Sequence, residues 1–281
     1  MSVNIREYKP SAHLKPFVEL FWEGRFNMDN AQIFRQQVAP NGFVELIIHP
    51  SEYHCYLPKN NRWEYSPDYT IIGLYTRPYE VRFHDYVDVF GIRFKPEGIY
   101  NLFGIPSAEF NEGYEDMEIV LGVDFKYYCS QLRDLKNINR RIHLTENYLI
   151  RNLDKNNADI SYLNRAAEMI RGAQRFKMID ELPGKVYISL RQLEREFKSK
   201  IGITPKRYLR LARFNEVNRM LDEGNEVDLT MIAQECGYTD QSHFIKDFKK
   251  FMGVKPTVFI RDRHQFIVNS YINNKLSDKY I

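Results

Sequence analysis

The sequence predicts an α+β protein in two parts: an N-terminal β-rich barrel or sandwich with associated helices, then an all-α domain of tandem helix-turn-helix units. Three observations predict it. Ile232–Pro256 (IAQECGYTDQSHFIKDFKKFMGVKP) is punctuated as a helix, a glycine-containing turn and a second helix. About 50 residues upstream, Leu182–Pro205 repeats that punctuation. Between Tyr8 and Lys95, short β-branched and aromatic runs alternate with turn signals, as the strands of a small sandwich or barrel do.

In the C-terminal segment the second helix opens at Thr239 or Asp240. Phe244, Phe248 and Met252 recur at i, i+4 and i+8, which stacks them as one buried stripe. Gln241, Ser242, Ile245, Lys246, Lys249 and Lys250 fall on the opposite face. An ordinary helical hairpin also turns a basic face to water, so this segment alone does not decide. The echo does. Leu193 matches Phe244, Phe197 matches Phe248, Gly202 matches Gly253 and Pro205 matches Pro256, each pair 51 positions apart. Before the turn, Leu182 matches Ile232 at 50 positions, so the second copy has one extra turn residue. Chance rarely produces such a tandem.

Taken in order, the strands are expected at Phe17–Phe26, Phe34–Val38, Val44–His49, Tyr53–Leu57, Tyr69–Tyr75, Tyr79–Phe83 and Val87–Phe94. Pro40-Asn41-Gly42, Pro58-Lys59-Asn60-Asn61 and Pro67-Asp68 separate them. Glu97–Phe103 reads as a short helix stopped by Gly104 and Pro106. Asp124–Leu153 is helical in two segments, with Phe125, Tyr128, Leu132 and Leu135 on one face, then Ile142, Tyr148, Leu149 and Leu153. These helices either pack on the barrel or mediate dimerisation. Asp154-Lys155-Asn156-Asn157 is a polar linker.

The all-α part begins with a helix over Tyr162–Gln174. Ser189 with Gln192 three residues later forms a capping box that starts the key helix of the first unit. Pro183 stands where the second unit has Ala233, which a helix tolerates if Asp180 caps it and Pro183 falls in its first turn. Tyr187 stands where the second unit has the turn glycine, Gly237. Thr204-Pro205 is an N-cap and N1 pair opening a helix to Leu221. Seventeen residues from Pro205 to Leu221 make roughly 25 Å of helix. With each unit's own offset, that suits two helices entering major grooves about 34 Å apart. The tail past Arg263 carries no signal.

Composition narrows the function. The chain has 281 residues, enough for two domains with cores of their own. The opening MSVNIREYKP lacks the apolar stretch of a signal peptide, and no apolar run is long enough to span a bilayer. Three distant cysteines, Cys55, Cys129 and Cys236, make neither a disulfide framework nor a zinc site. A cytoplasmic protein is expected. Residues 159–263 hold 20 Lys+Arg against 15 Asp+Glu, while the rest of the chain holds 20 against 22. The basic excess sits where phosphate binding would need it.

Neither a metal nor a cofactor is expected. His49, His54 and His84 lack the spacing of a metal site. Gly-x-Ser-x-Gly, a phosphate-cradling glycine loop and His-Glu-x-x-His are all missing. Cys55 and Cys129 have no basic cluster beside them to lower a thiol pKa. Trp22, Phe34, Trp63, Tyr75, Phe83, Phe90 and Phe94 could line an apolar pocket, although packing is the ordinary work of such rings.

On the tandem units, from about Ala158 to Arg263, the sequence resembles the AraC family of bacterial transcription regulators. The run GLYTRPYEVRFHDYVDVFGIRFKPEGIYNLFGIP also looks like an uncharacterised N-terminal domain found in some of them. The resemblance implies a cupin-like sensor or dimerisation domain over residues 1–123, a helical connector over 124–157, a double helix-turn-helix domain over 158–263 and a tail over 264–281. Family base-reading positions fall on Arg191, Glu194 and Arg195 in the first unit, and on Gln241, Ser242 and Lys246 in the second. Arg191 and Arg195 lie one turn apart and suit guanine, Gln241 suits adenine, and Glu194 suits cytosine or a pairing with Lys198. Lys206, Lys249 and Lys250 read as phosphate contacts. Implied partners are double-stranded DNA, a small-molecule effector, RNA polymerase if the protein activates, and a second copy in a homodimer; no membrane is implied. Two rivals are an enzyme-like barrel fused to a DNA-binding domain and a non-specific architectural DNA binder.

Overall fold

The computed structural model describes residues 2–27, 34–83, 86–156, 160–172, 179, 182–223 and 228–268. Eleven strands are described: β1 (Ser2–Tyr8), β2 (Val18–Asn27), β3 (Phe34–Val38), β4 (Val44–Ile48), β5 (Tyr56–Lys59), β6 (Arg62–Tyr65), β7 (Tyr69–Ile72), β8 (Tyr79–Phe83), β9 (Tyr86–Phe94), β10 (Tyr114–Asp116) and β11 (Phe266–Ile267). They form a six-stranded sheet in the order β1-β2-β9-β4-β7-β10 and a five-stranded one in the order β11-β3-β8-β5-β6. Among the described residues each neighbouring pair is antiparallel except β11 with β3.

The larger sheet is covered on both faces, which explains why β4, Val44-Glu45-Leu46-Ile47-Ile48, is buried at every position. Leu46 and Ile48 join one core with Phe90, Ile92 and Phe94. Ile47 points the other way, into a core with Val81, Phe83 and Val89 between the two sheets. The first core is closed by α1 (Pro96–Phe103), α2 (Met117–Leu121), α3 (Val123–Arg133) and α4 (Ile138–Lys155). There the Tyr128 and Tyr148 rings stack at 4.3 Å, and the Tyr128 hydroxyl bonds Thr145 Oγ1 at 2.7 Å. The inward faces of α3 and α4 therefore pack on the sheet.

Among the described residues seven α-helices follow: α5 (Ser161–Arg171), α6 (Leu182–Val186), α7 (Leu190–Lys200), α8 (Pro205–Glu223), α9 (Leu229–Glu235), α10 (Gln241–Met252) and α11 (Pro256–Arg261). They share a core of Leu163, Leu193, Phe197, Phe214, Phe244, Phe248 and Phe259, which also takes in Ala39 and Leu74 from the β-rich half. Pro183 lies in the first turn of α6; Asp180, its expected cap, falls outside the described residues, as does part of the expected helix end near Gln174. Among the described residues no helix is long and apolar enough to cross a membrane.

Four strands carry too little pattern to be found in the sequence. β1 lies before the first apolar run, β6 is mostly exposed, β10 has only three residues, and β11 sits in the tail. β11 joins the open edge of β3, pairing Phe266 with Gln37, and the Ala39 amide donates to the Ile267 carbonyl at 2.9 Å. The chain thus returns from the helical half to the β-rich half.

Side chains lock the two halves. Glu97 of α1 is fully buried, and the Arg171 guanidinium of α5 donates to both of its oxygens, at 2.9 Å from Nη1 and 2.5 Å from Nη2. Arg171 Nη1 also donates to the Tyr208 hydroxyl of α8 at 2.8 Å. Burial alone would favour a neutral guanidine, but the Glu97 carboxylate outweighs it and holds Arg171 above the arginine range. Beside it, Ser107 Oγ and Asn111 Nδ2 donate to the carbonyls of Lys200 and Ile201 at 3.1 and 3.0 Å. Gly202 lies against this contact with φ +89°; a Cβ there would stand 1.8 Å from Asn111 Nδ2.

Removing one partner of so buried a pair strands the other charge. Arg171→Ala or Glu97→Ala should cost about 3–5 kcal/mol in denaturant unfolding of the full chain. The double variant Glu97→Leu/Arg171→Leu should cost clearly less than either alone; additive losses would show that the charges are not coupled.

Candidate nucleic-acid interface

The two helix-turn-helix units are built by the same local chemistry. In the first, α6 ends at Tyr187, which takes a left-handed φ of +58°, and the Ile188 amide reaches back to the Pro183 carbonyl at 3.4 Å. In the second, α9 ends at Gly237 with φ +73°, and the Tyr238 amide reaches back to Ala233 at 2.9 Å. The turns superpose in kind: a tyrosine performs a bend that glycine performs without strain. The extra residue of the second copy, Thr239, lies between that turn and the next cap.

Each turn feeds a capped helix. Ser189 Oγ accepts from the Gln192 amide at 3.2 Å, opening α7, and Asp240 Oδ1 accepts from the His243 amide at 2.8 Å, opening α10. α10 closes at Gly253, whose amide returns to the Lys249 carbonyl at 2.9 Å with φ +73°. Leu193 and Phe197 bury α7; Phe244, Phe248, Phe251 and Met252 bury α10. α8 then links the units, its 19 residues making about 28 Å of helix.

Burying those stripes turns the other faces outward. Arg191, Glu194 and Arg195 are exposed on α7, Gln241, Ser242, Lys246, Lys249 and Lys250 are exposed on α10, and Lys206 is exposed in the first turn of α8. Arg195 Nη2 lies 3.4 Å from Glu196 Oε1, yet 72% of its side chain stays open to solvent.

Two anchors under these faces have no signature in sequence. Asp247, on α10 but buried, takes both nitrogens of the Arg210 fork from α8, with Nε at 2.8 Å from Oδ2. On α7, Glu196 Oε2 accepts from Lys200 Nζ at 2.6 Å and from the Tyr162 hydroxyl of α5 at 2.8 Å. The Lys200 bond holds the Glu196 carboxyl below the ordinary glutamate range. Helical spacing puts Asp247 next to Phe248, so only the partner on α8 distinguishes it from a surface acid.

The β-rich half has its own features. His49 is buried and stacks on His54 with ring centroids 4.6 Å apart; burial, then the neighbouring His54, press its pKa down to about 3. His49 Nε2 lies 3.0 Å from Ser66 Oγ, and His54 Nε2 lies 3.2 Å from Asp68. His84 is outside the described residues, among which no group of three or more His, Cys, Asp or Glu could hold a metal. Cys55, Cys129 and Cys236 are buried free thiols. Of the aromatic candidates, Trp22 and Phe83 line a cavity between the sheets, Phe90 and Phe94 lie in the other core, and Trp63 stacks under Arg82 at 3.5 Å.

Comparison with known proteins agrees with this geometry. A family described as a helix-turn-helix domain matches residues 184–262, and a domain of unknown function (DUF6597) matches residues 6–116. The HTH-type transcriptional activator RhaS of Pectobacterium carotovorum is 36% identical over 84 residues, which cover 30% of this chain and 29% of that protein. The probable transcriptional regulator LumQ of Photobacterium leiognathi is 31% identical over 90 residues, covering 32% of this chain and 34% of that one. The chain thus spans about a third of the curated relatives it matches. Among solved structures, ToxT of Vibrio cholerae aligns over 93% of this chain and 98% of its own, with 12% identity and a TM-score of 0.49. The C-terminal half is a tandem helix-turn-helix domain. It is similar to the transcription regulators RhaS and LumQ, and it follows a β-rich part of the chain.

Phe197→Ala and Phe248→Ala should each cost about 3–5 kcal/mol, because each deletes a ring from a closed core. Thermal unfolding of the full chain measures this; a variant as stable as the parent would mean the core re-closes over the gap. Tyr187→Gly should act the other way. Relief of a left-handed non-glycine gains about 1–2 kcal/mol against about 0.5–1 kcal/mol of glycine entropy. The denaturant midpoint should rise slightly, and a fall would reveal contacts made by the exposed ring.

Proposed function

We propose that the protein is a sequence-specific DNA-binding transcription regulator that works by binding, without catalysis, and responds to a small molecule through its N-terminal domain. The observation that carries this is the pair of capped helices, α7 and α10, each held down by a buried stripe and presenting polar side chains outward. Arg191, Glu194 and Arg195 read bases from α7; Gln241, Ser242 and Lys246 read them from α10. Lys206, Lys249 and Lys250 neutralise phosphates. The similarity to RhaS, a transcriptional activator, favours activation, with RNA polymerase as a further partner.

The proposed division is a sensor or dimerisation domain over 1–123, a helical connector over 124–157, the DNA-binding domain over 158–263 and a tail over 264–281. Self-association at the junction of the first domain and the connector is supported by Ile119 and Val123 before the boundary and Tyr127 just after it, which expose 83%, 81% and 66% of their surface on α2 and α3.

Binding-site selection tests the reading. Arg195→Ala should relax base preference in one half of the selected site and Lys246→Ala in the other, each costing about 1–3 kcal/mol of discrimination. Motifs unchanged in both variants would sink it; a change with Lys246→Ala alone would leave only the second unit reading bases. Lys250→Ala should weaken binding to every sequence and lower the slope of log affinity against log salt by about one. Loss confined to the preferred site would instead make Lys250 a base reader.

A further inference from the structure

The cavity between the two sheets has a charge pattern that selects its occupant. It encloses about 810 Å³ of empty space, its open mouth included, walled mostly by aliphatic and aromatic side chains. Among the described residues its charged groups are Glu7 of β1, Glu45 of β4 and Arg93 of β9. Glu45 is nearly buried and well satisfied: it accepts from Arg93 Nε at 2.6 Å, Trp22 Nε1 at 3.0 Å and Asn41 Nδ2 at 3.3 Å. Glu7 stands 3.8 Å from Arg93 Nη1, with 35% of its side chain open.

Two carboxylates thus face one guanidinium, a balance of one negative charge. Cys55 does not alter the count, since burial pushes its thiol up to about 11, and burial likewise keeps the Tyr79 phenol neutral. Burial also raises the Glu7 pKa, the condition of a carboxylate that a cation in the cavity would relieve. An anionic head would meet an arginine already shared between Glu45 and Glu7 and would sit beside the half-open carboxylate of Glu7. The opposite wall includes Ile267 and Val268, at and just after β11, so the segment leaving α11 closes part of the site.

We propose that this cavity binds an apolar amine, its ammonium head at Glu7 and its hydrocarbon body against Ile267 and Val268. The ligand class rests on the reading of the N-terminal domain as ligand-responsive, and it names the chemistry to which that domain responds. Because Ile267 and Val268 follow the second helix-turn-helix unit directly, the occupant touches both halves of the chain.

Calorimetric titration of the full chain with octylamine, octanol and octanoate tests this, the three probes sharing one hydrocarbon body. Octylamine should bind tightest and octanoate weakest. Glu7→Gln, at a half-open position that tolerates the change, should weaken octylamine by about tenfold, the loss of roughly one charge pair, and leave octanol unchanged. Equal or tighter octanoate binding, octylamine binding indifferent to Glu7→Gln, or no binding of any probe would each overturn the proposal. DNA affinity measured with and without octylamine separates the two readings. Binding in the cavity with no effect on DNA sinks the ligand-responsive function and leaves the amine site standing. Failure to bind octylamine, with DNA binding intact, sinks the site alone.

Discussion

The Glu97–Arg171–Tyr208 cluster is the constraint on which the arrangement of the molecule depends. A carboxylate with no solvent exposure must be paired, because water cannot stabilise it. Its partner comes from the other half of the chain, so the halves cannot separate without exposing or orphaning a charge. Burying such a pair contributes little net stability, since the desolvation of both ions offsets most of their attraction. What it supplies is geometry. A planar guanidinium bound to both carboxylate oxygens fixes one orientation, and the Tyr208 hydroxyl ties in α8, the helix that spaces the two units. The nearby bonds from Ser107 and Asn111 to the end of α7 seat one proposed recognition helix directly on the β-rich half.

The helical half was legible in sequence because its units depend on local rules. An N-cap oxygen, a stripe at i and i+4, a left-handed residue after the helix and a proline opening the next one are read from single positions, and each occurs twice. Tyr187 shows how far the rule extends. The turn needs a positive φ, and the packing of Leu182, Val186, Leu193 and Phe197 around it is sufficient to hold a tyrosine there with its ring in water. The anchors beneath the helices were not legible. Arg210 with Asp247 and Tyr162 with Glu196 join residues more than thirty positions apart, and nothing in either local pattern announces the partner.

The β-rich half was legible as a class and less so as a topology. Its central strands, such as β4 and β9, are apolar because both faces of their sheet are covered, and that is visible as continuous hydrophobic runs. Its edges are different. β1, β6 and β11 are held largely by main-chain bonds to a neighbouring strand, and an amide or carbonyl is the same in every residue. The carboxylates inside the cavity were missed for a related reason: Glu45 reads as the polar position of an ordinary strand, and Glu7 lies in β1, which the sequence does not announce. Only the sheet order, which sets β1 and β4 on either side of β2 and β9, turns them toward Arg93.

That sheet order also decides what the chain's last described segment can do. A strand of two residues is too short to hold itself in place; it stays on β3 because it completes an open edge, with Ile267 filling space between the sheets and Phe266 packing on Phe259. The same short contact that is cheap to make is cheap to release. An occupant of the proposed amine site would touch Ile267 and Val268, in the segment joined to α11, whose Phe259 packs on Phe248 of α10 at 5.4 Å. By contrast the Glu97–Arg171 contact joins the first unit to the β-rich half through groups that tolerate no partial separation. The first unit is held on the β-rich half by that buried pair, and the second is held from α8 by Arg210 on Asp247 and from α11 by the ring of Phe259, so β11 is the lightest of the ties between the helical half and the sheets.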